Sequence, residues 1–414
     1  MKKVLAMVLV LMLVLSAAAL ADTAIKTTAD EIELTGDPAA IKIGLICIGD
    51  ENEGYSYAHI KGLKDACAAL GVSENQVTIK YNVPESAEAY DACADLADAG
   101  CDVVFTNSYG HQTFTLQAAQ EFPEVQFVSL AGDMANAANQ ENYSNAFNSI
   151  YEARYVSGVA AGLKLNEMLA NNEIAAENLD ADGNVKLGYV GAYPYAEVVS
   201  GYTAFFLGAR SQCPNVSMEV SYVNSWGDII AEQAAAEALV ADGCVIICQH
   251  SDTTGPSKAV QAARDAGRNV YSVGYNISML SVAPTAALTS SCMKWDVYYT
   301  YAIKTAINGE KIARNWCAGY TQNAVGLTEL GESAVQSDVY AQVEAGLADG
   351  SIRVFDTSTF TVGGETVTNA FATDTDGDFV NDADEAIIDG AYTESYVQSA
   401  PSFSLRSDGI TELN

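Results

Sequence analysis

An α/β fold of two Rossmann-like lobes, each with a parallel sheet and facing the other across a cleft, is predicted by three features of this sequence. First, the chain is duplicated. Lys42-Ile43-Gly44-Leu45-Ile46 is answered by Lys186-Leu187-Gly188-Tyr189-Val190, an offset of 186 − 42 = 144. Asp98-Ala99-Gly100-Cys101-Asp102-Val103-Val104-Phe105 is answered by Ala241-Asp242-Gly243-Cys244-Val245-Ile246-Ile247-Cys248, an offset of 241 − 98 = 143. Ser108 and Ser251, and Asp133 and Asn276, keep the offset of 143. Two copies of about 90 residues are too few and too long for a solenoid. Second, strand and helix patterns alternate, which implies parallel sheets with helices on both faces. Third, the opening strands are continuous apolar runs, as strands buried on both faces require.

The elements follow in order. Residues 22–40 are polar and irregular and read as a tether. Residues 41–48 form a buried strand, 55–70 a helix stopped by Gly71, and 76–81 an alternating strand. A helix over 87–99 stops at Gly100, followed by a strand over 102–106, a helix over 113–122 before Pro123, and a strand over 125–130. The second copy repeats this: strand 185–190, helix 198–211, strand 217–223, helix 229–241, strand 244–249, helix 258–266, strand 269–273. A helix over 151–169 opens the second lobe, 165–184 reads as a loop insertion, and 295–308 is a further helix. The chain is expected to cross between lobes again through 326–350, and 355–367 reads as a β-hairpin around Gly363-Gly364.

The 414 residues suffice for two or three domains, and 49% hydrophobic content marks a globular chain. Residues 1–21 have the pattern of a secretory signal peptide: Lys2 and Lys3, then the apolar run Val4 to Leu15, then Ala19-Leu20-Ala21. An exported protein, periplasmic or at the cell surface, is therefore expected. No Cys follows the apolar run to carry a lipid, so the mature chain is read as peripheral to the membrane. The formal charge of −33 becomes −33 − 2 = −35 once Lys2 and Lys3 are removed. Such acidity excludes binding to nucleic-acid phosphates, which needs basic patches.

Of the nine Cys, most sit in apolar patterns such as Leu45-Ile46-Cys47-Ile48 and read as small buried hydrophobes. Cys244 and Cys248 share a strand, where four residues span about 13 Å, too far for a disulfide. Three His make a catalytic zinc centre implausible, and no cofactor is expected.

In open parallel sheets, ligands bind beyond the carboxyl ends of the strands. The duplication identifies those ends as 49–55, 82–85, 107–109 and 132–133 in the first lobe, and 192–195, 224–228, 250–254 and 274–276 in the second. They combine aromatic rings with hydrogen-bonding groups and hold almost no Lys or Arg. That suits a neutral, flat, polar ligand such as a nucleoside, a purine-like base or a sugar. The candidate ligand-binding residues are Asp50, Tyr55, Asn107, Ser108, Tyr109, Tyr193, Trp226, Asp228, His250, Asp252, Asn276 and Lys294. Plain structural alternatives stand beside them. Tyr55 is placed to pack at a helix start, Trp226 to cover a sheet end, Asp228 to cap a helix, and Asp50 to stabilise its own loop.

His250-Ser251-Asp252 cannot be a catalytic relay, because three adjacent side chains do not converge. No G-x-S-x-G, P-loop or G-x-G-x-x-G occurs, so catalysis is not expected. Asp374, Asp376 and Asp378, followed by Asn381, Asp382, Asp384 and Glu385, resemble a calcium loop. The EF-hand spacing fails, with Ala372 and Ala383 at its first and twelfth positions, and a solvated acidic loop is favoured.

Several segments together resemble the basic membrane protein (BMP) family of substrate-binding proteins for ABC importers. They are Gly54-Tyr55-Ser56-Tyr57-Ala58-His59, Tyr151 through Gly162, Gly188 through Ala192, Trp226-Gly227-Asp228, Gln249-His250-Ser251-Asp252, Val273-Gly274-Tyr275-Asn276, and Ala283-Pro284 through Lys294. The resemblance covers residues 41–326. It implies a type I periplasmic-binding-protein fold with three crossovers, capture of a nucleoside or related base by hinged lobe closure, and delivery to an ABC permease. Tyr55 would stack on the base and Lys294 would hold the ribose. The family's ribose-binding Asp is Asn276 here, and its first-loop D-x-S-F-N motif is replaced by Glu51-Asn52-Glu53-Gly54-Tyr55.

On this basis lobe 1 is expected to hold 41–148 and about 277–325. Lobe 2 is expected to hold 149–276 and part of 326–414, with a C-terminal crossover and hairpin extension. The alternatives are the same fold binding a sugar or signalling molecule, and a nucleoside hydrolase.

Overall fold

The structure is a computed structural model and describes residues 24–375 and 380–414; the expected signal peptide, Asp376 and Asp378 lie outside these. In the first lobe, β1 (Ile43–Ile46) is buried along its whole length, as its Ile-Gly-Leu-Ile composition requires. It leads into α1 (Gly54–Leu70), whose N-cap Glu53 accepts from the Tyr55 and Ser56 N–H groups and whose end is Gly71 in the left-handed region, φ +76°. Then come β2 (Val77–Lys80), α2 (Ala87–Asp98) capped by Ser86, β3 (Val103–Thr106), α3 (Gln112–Glu121), β4 (Gln126–Leu130) and β5 (Tyr143–Asn148).

The second lobe repeats the plan with α4 (Ile150–Ala170), β6 (Val185–Gly191), α5 (Ala196–Gln212), β7 (Val216–Tyr222), α6 (Ile229–Ala241), β8 (Ile246–Gln249), α7 (Gly255–Asp265), β9 (Tyr271–Tyr275) and β10 (Ala287–Met293). The chain continues with α8 (Trp295–Ile307), β11 (Asn315–Ala318), β12 (Val325–Leu327), α9 (Val339–Ala348), the short antiparallel pair β13 (Phe371–Thr373) and β14 (Ala383–Glu385), and β15 (Ile410–Glu412).

The first sheet has the order β11-β5-β4-β3-β1-β2 and is parallel throughout. The second has the order β12-β10-β9-β8-β6-β7-β15, with only β12 antiparallel. The chain passes between lobes three times: after β5, after β10, and between β11 and β12. This corrects two expectations. Residues 277–293 belong to the second lobe, because β10 pairs with β9. The last passage lies at 319–324, not within 326–350, where α9 forms instead. Helix α4 also runs on to Ala170, so the loop insertion is shorter than expected. Over 355–367 the strand-like pairings among the described residues are the Val362–Glu365 bridge across Gly363-Gly364 and the Asp356–Ala391 bridge.

Each lobe has its own buried core. The α4–α5 contact is unusually close because small residues meet: a Cβ on Gly158 would lie 2.0 Å from the Phe205 carbonyl oxygen, and one on Gly208 2.0 Å from that of Tyr155. Helix α8 returns to lobe 1 and packs on α1, with His59 stacked on Trp295 at 4.0 Å between ring centres. All nine Cys are unpaired and eight are buried.

Residues 349–414 form a C-terminal extension fastened to lobe 2. Strand β15 lies parallel to β7, and Phe403 stacks on Phe355 at 4.2 Å. The extension also reaches lobe 1, where the Asn136 side-chain amide donates to the Val397 carbonyl at 2.9 Å.

Candidate functional site

The carboxyl ends of both sheets open onto one cavity of about 1130 Å³ between the lobes. The lobes touch across it: the Gly54 N–H donates to the Asp252 carbonyl at 3.0 Å, and the Tyr109 and Tyr195 rings lie 5.7 Å apart. Of the candidate residues, Tyr55, Asn107, Ser108, Tyr109, Trp226, His250 and Asp252 line the cavity. They fall into two kinds. Asn107 and Ser108 have their polar atoms engaged at home. Asn107 accepts from the Ile48 N–H at 2.8 Å and donates to Ser56 Oγ at 3.1 Å, and Ser108 Oγ donates to Glu85 at 2.6 Å. The Tyr55 hydroxyl, by contrast, is buried with no hydrogen-bond partner among the described residues, and Asp252 presents a buried carboxyl group.

Two further candidates support the lining from behind. Tyr193 stacks on Tyr195 at 5.0 Å and meets Trp226 edge-on at 5.2 Å. Asn276, held at φ +61°, sets its side-chain amide 3.5 Å from Asp252 Oδ1.

Three candidates fall elsewhere. Asp50 binds the Asn52 N–H at 2.8 Å within its own loop, and that bond, with others from Asn52 and Asn82, lowers its pKa. Asp228 caps α6, accepting from Ile230 and Ala231 at 3.1 and 3.0 Å. Lys294 donates to Asn323 Oδ1 at 2.5 Å, joining two interlobe passages away from the cavity lining. In each case a nearby polar group takes up the side chain before a distant ligand could.

The chemistry of the floor is set in part by residues outside the candidate set, Arg154, Glu53, Glu197 and Glu232. Arg154, fully buried on α4, donates from Nη1 to the Gln249 carbonyl at 2.5 Å and lies over the Tyr275 ring at 3.7 Å. Its signal in the sequence is a cation, one of two with Lys164, within a largely apolar helix. Around it gather buried carboxyl groups. Burial raises the Asp252 carboxyl well above the usual range, and the neighbouring Glu53, Glu232 and Glu197 push it further while Arg154 opposes them. Burial likewise pushes Glu53 up to about 7, against the Ser56 and Tyr55 groups that bond its charged form. Burial lowers the pKa of His250, so its imidazole is neutral. The network then assigns its proton: Nε2–H donates to Glu197 at 2.7 Å and Nδ1 accepts from the Tyr189 hydroxyl at 3.1 Å. Asp133, at the end of β4, accepts from the Tyr109 hydroxyl at 2.9 Å. The extension supplies the remaining wall, including Phe371, Pro401 and Leu405.

The lining thus carries aromatic faces and the carboxylates of Asp133, Glu197, Asp252 and Asp374. Its one Lys or Arg among the described residues, Arg406, is ion-paired with Glu412 at 2.9 Å. In the acidic loop, Asp382 accepts from Thr375 Oγ1 and Asp384 from Thr373 Oγ1, each at 2.7 Å. Among the described residues no group of three or more His, Cys, Asp or Glu side chains could hold a metal ion.

Two parallel-sheet lobes, three passages between them and one interlobe cavity define a type I solute-binding protein. Residues 42–348 match the Bmp family, described as ABC transporter substrate-binding protein PnrA-like, and the chain belongs to that family. It is 34% identical over 286 residues to a purine-binding protein of Brucella abortus (strain 2308), covering 69% of this chain and 74% of that one. It is 29% identical over 325 residues to a putative ABC transporter glucose-binding protein of Haloferax volcanii, covering 77% and 75%. A solved ABC transporter solute-binding protein from Conexibacter woesei superposes with a TM-score of 0.58 at 22% identity, over 76% of this chain and 98% of that one. The family is one of substrate binding, outside the cytoplasm, with a small-molecule ligand and a transporter permease as partners. No helix among the described residues is long and apolar enough to cross a membrane.

Proposed function

We propose that this protein captures a purine base or nucleoside in the interlobe cavity and delivers it to its permease. The observation that carries this reading is the convergence of Tyr55, Tyr109, Tyr195 and Trp226 with the Asp252 carboxylate in one cavity. Aromatic faces stack on a flat heterocycle, and carboxylates accept from its ring and exocyclic N–H groups. The acidic lining disfavours nucleotides, whose phosphates would meet like charge. The purine-binding relative at 34% identity supports the same class. Release and capture would proceed by hinged opening at the three passages.

The Haloferax relative favours a second reading, a sugar stacked on the same rings. Calorimetry of the purified full chain against adenine, guanine, their nucleosides and glucose separates the two. At least one purine is expected to bind more tightly than about 10 µM. Glucose binding with no purine tighter than about 100 µM would overturn the purine reading.

A further inference from the structure

We propose that the C-terminal extension is a third wall of the binding site and furnishes an apolar subsite, so that the preferred ligand is a purine bearing an apolar substituent. This rests on the purine reading above. Fifteen of the 35 residues bounding the cavity come from positions 362–406. The family match ends at residue 348, and the Conexibacter protein is covered over 98% of its length while 24% of this chain is left over (100 − 76). The extra wall is therefore built from chain that lies outside the matched family region.

Its chemistry differs from that of the floor. Lobe 1 contributes Met134 and Ala137 to this end, and the extension contributes Phe371, Val380, Pro401 and Leu405. Phe371 is 37% exposed and Val380 63%, so apolar surface remains to be covered. The cavity, at about 1130 Å³, is larger than a bare purine fills.

The wall is also fixed in place. The buried Glu394 carboxylate accepts from the Ser402 and Phe403 N–H groups at 2.7 and 3.1 Å, which sets the 398–403 turn against the cavity. The Asn136–Val397 bond holds the same turn to lobe 1.

Calorimetry with adenine and N6-benzyladenine on the full chain tests this. The benzyl compound is expected to bind about tenfold more tightly than adenine, as burial of one apolar ring predicts. In a Phe371→Ala, Leu405→Ala variant the ratio of benzyladenine to adenine affinity is expected to fall below about threefold. Adenine binding with no benzyl advantage, or an advantage that survives in the variant, would overturn the subsite and leave the purine reading intact. Binding of neither compound would overturn the subsite, and the purine reading would fall with it only if guanine and the nucleosides also fail to bind.

Discussion

The Arg154 guanidinium lies 3.7 Å from the centre of the Tyr275 ring, and its Nη1 donates to the Gln249 carbonyl that ends β8. One side chain from the first interlobe passage thus braces the floor of the second lobe. It is also the cation that offsets the crowded carboxyl groups around Asp252. Arg154→Met is expected to cost about 3–5 kcal/mol in urea unfolding, because it leaves buried acid groups without a counter-charge. Arg154→Lys should recover only part of that, since an ammonium does not reproduce the planar stacking contact.

Asp252 combines a stability cost with a binding role. Burial and three neighbouring carboxylates oppose its charge. Asp252→Asn is therefore expected to raise stability in the same unfolding assay. It should weaken purine binding by about tenfold, the value of one hydrogen bond lost in a buried site. A variant that is less stable and binds normally would remove Asp252 from the site.

Burial pushes both Glu53 and Glu152 up from 4.5 to about 7. Between those values the native state keeps protons that the unfolded chain has released, so these two groups make stability fall as pH rises from about 4.5 to 7. Both are partly accessible, and the fall is on the order of 1 kcal/mol for each. Glu53→Gln combined with Glu152→Gln should flatten the pH dependence of unfolding between about pH 5 and pH 7.

Gly158 admits no side chain, since a Cβ would meet the Phe205 carbonyl oxygen at 2.0 Å. Gly158→Val should force α4 and α5 apart and cost about 3 kcal/mol or more. Thermal unfolding followed by circular dichroism measures this.

The duplication visible in the sequence survives as matched backbone. Gly100 and Gly243, 143 apart, both take left-handed conformations after a helix, φ +83° and +96°. Asn82 and Asn224, 224 − 82 = 142 apart, both leave the second strand of their lobe at φ +54°. Repeats of this kind are local and can be read from residue order. What could not be read was set by distant partners. Ala287–Met293 carries Thr289, Ser290 and Ser291 at its centre, and only its pairing with β9 assigns it to lobe 2. Beyond the hairpin pattern of 355–367, the extension has no helical or alternating period to signal it. Its shape comes from side-chain bonds to backbone, such as those of Glu394. Among the candidate residues, Tyr55, Trp226 and Asp252 line the cavity. Asp50, Asp228 and Lys294 do not, because a short or solvated polar side chain bonds to whatever donor or acceptor is nearest.

The pairing of β15 with β7 has a consequence for solubility. A strand at the margin of a sheet offers unpaired N–H and C=O groups to any passing chain. Here Ile25 pairs with Trp316 beside β11, and residues 410–412 cover β7. Removing residues 410–414 would bare Met218, Glu219 and Val220 of β7 as a template for copy-to-copy association. Such a truncated chain should aggregate as its concentration rises. For this protein a C-terminal cut or fusion would be felt first as a colloidal problem.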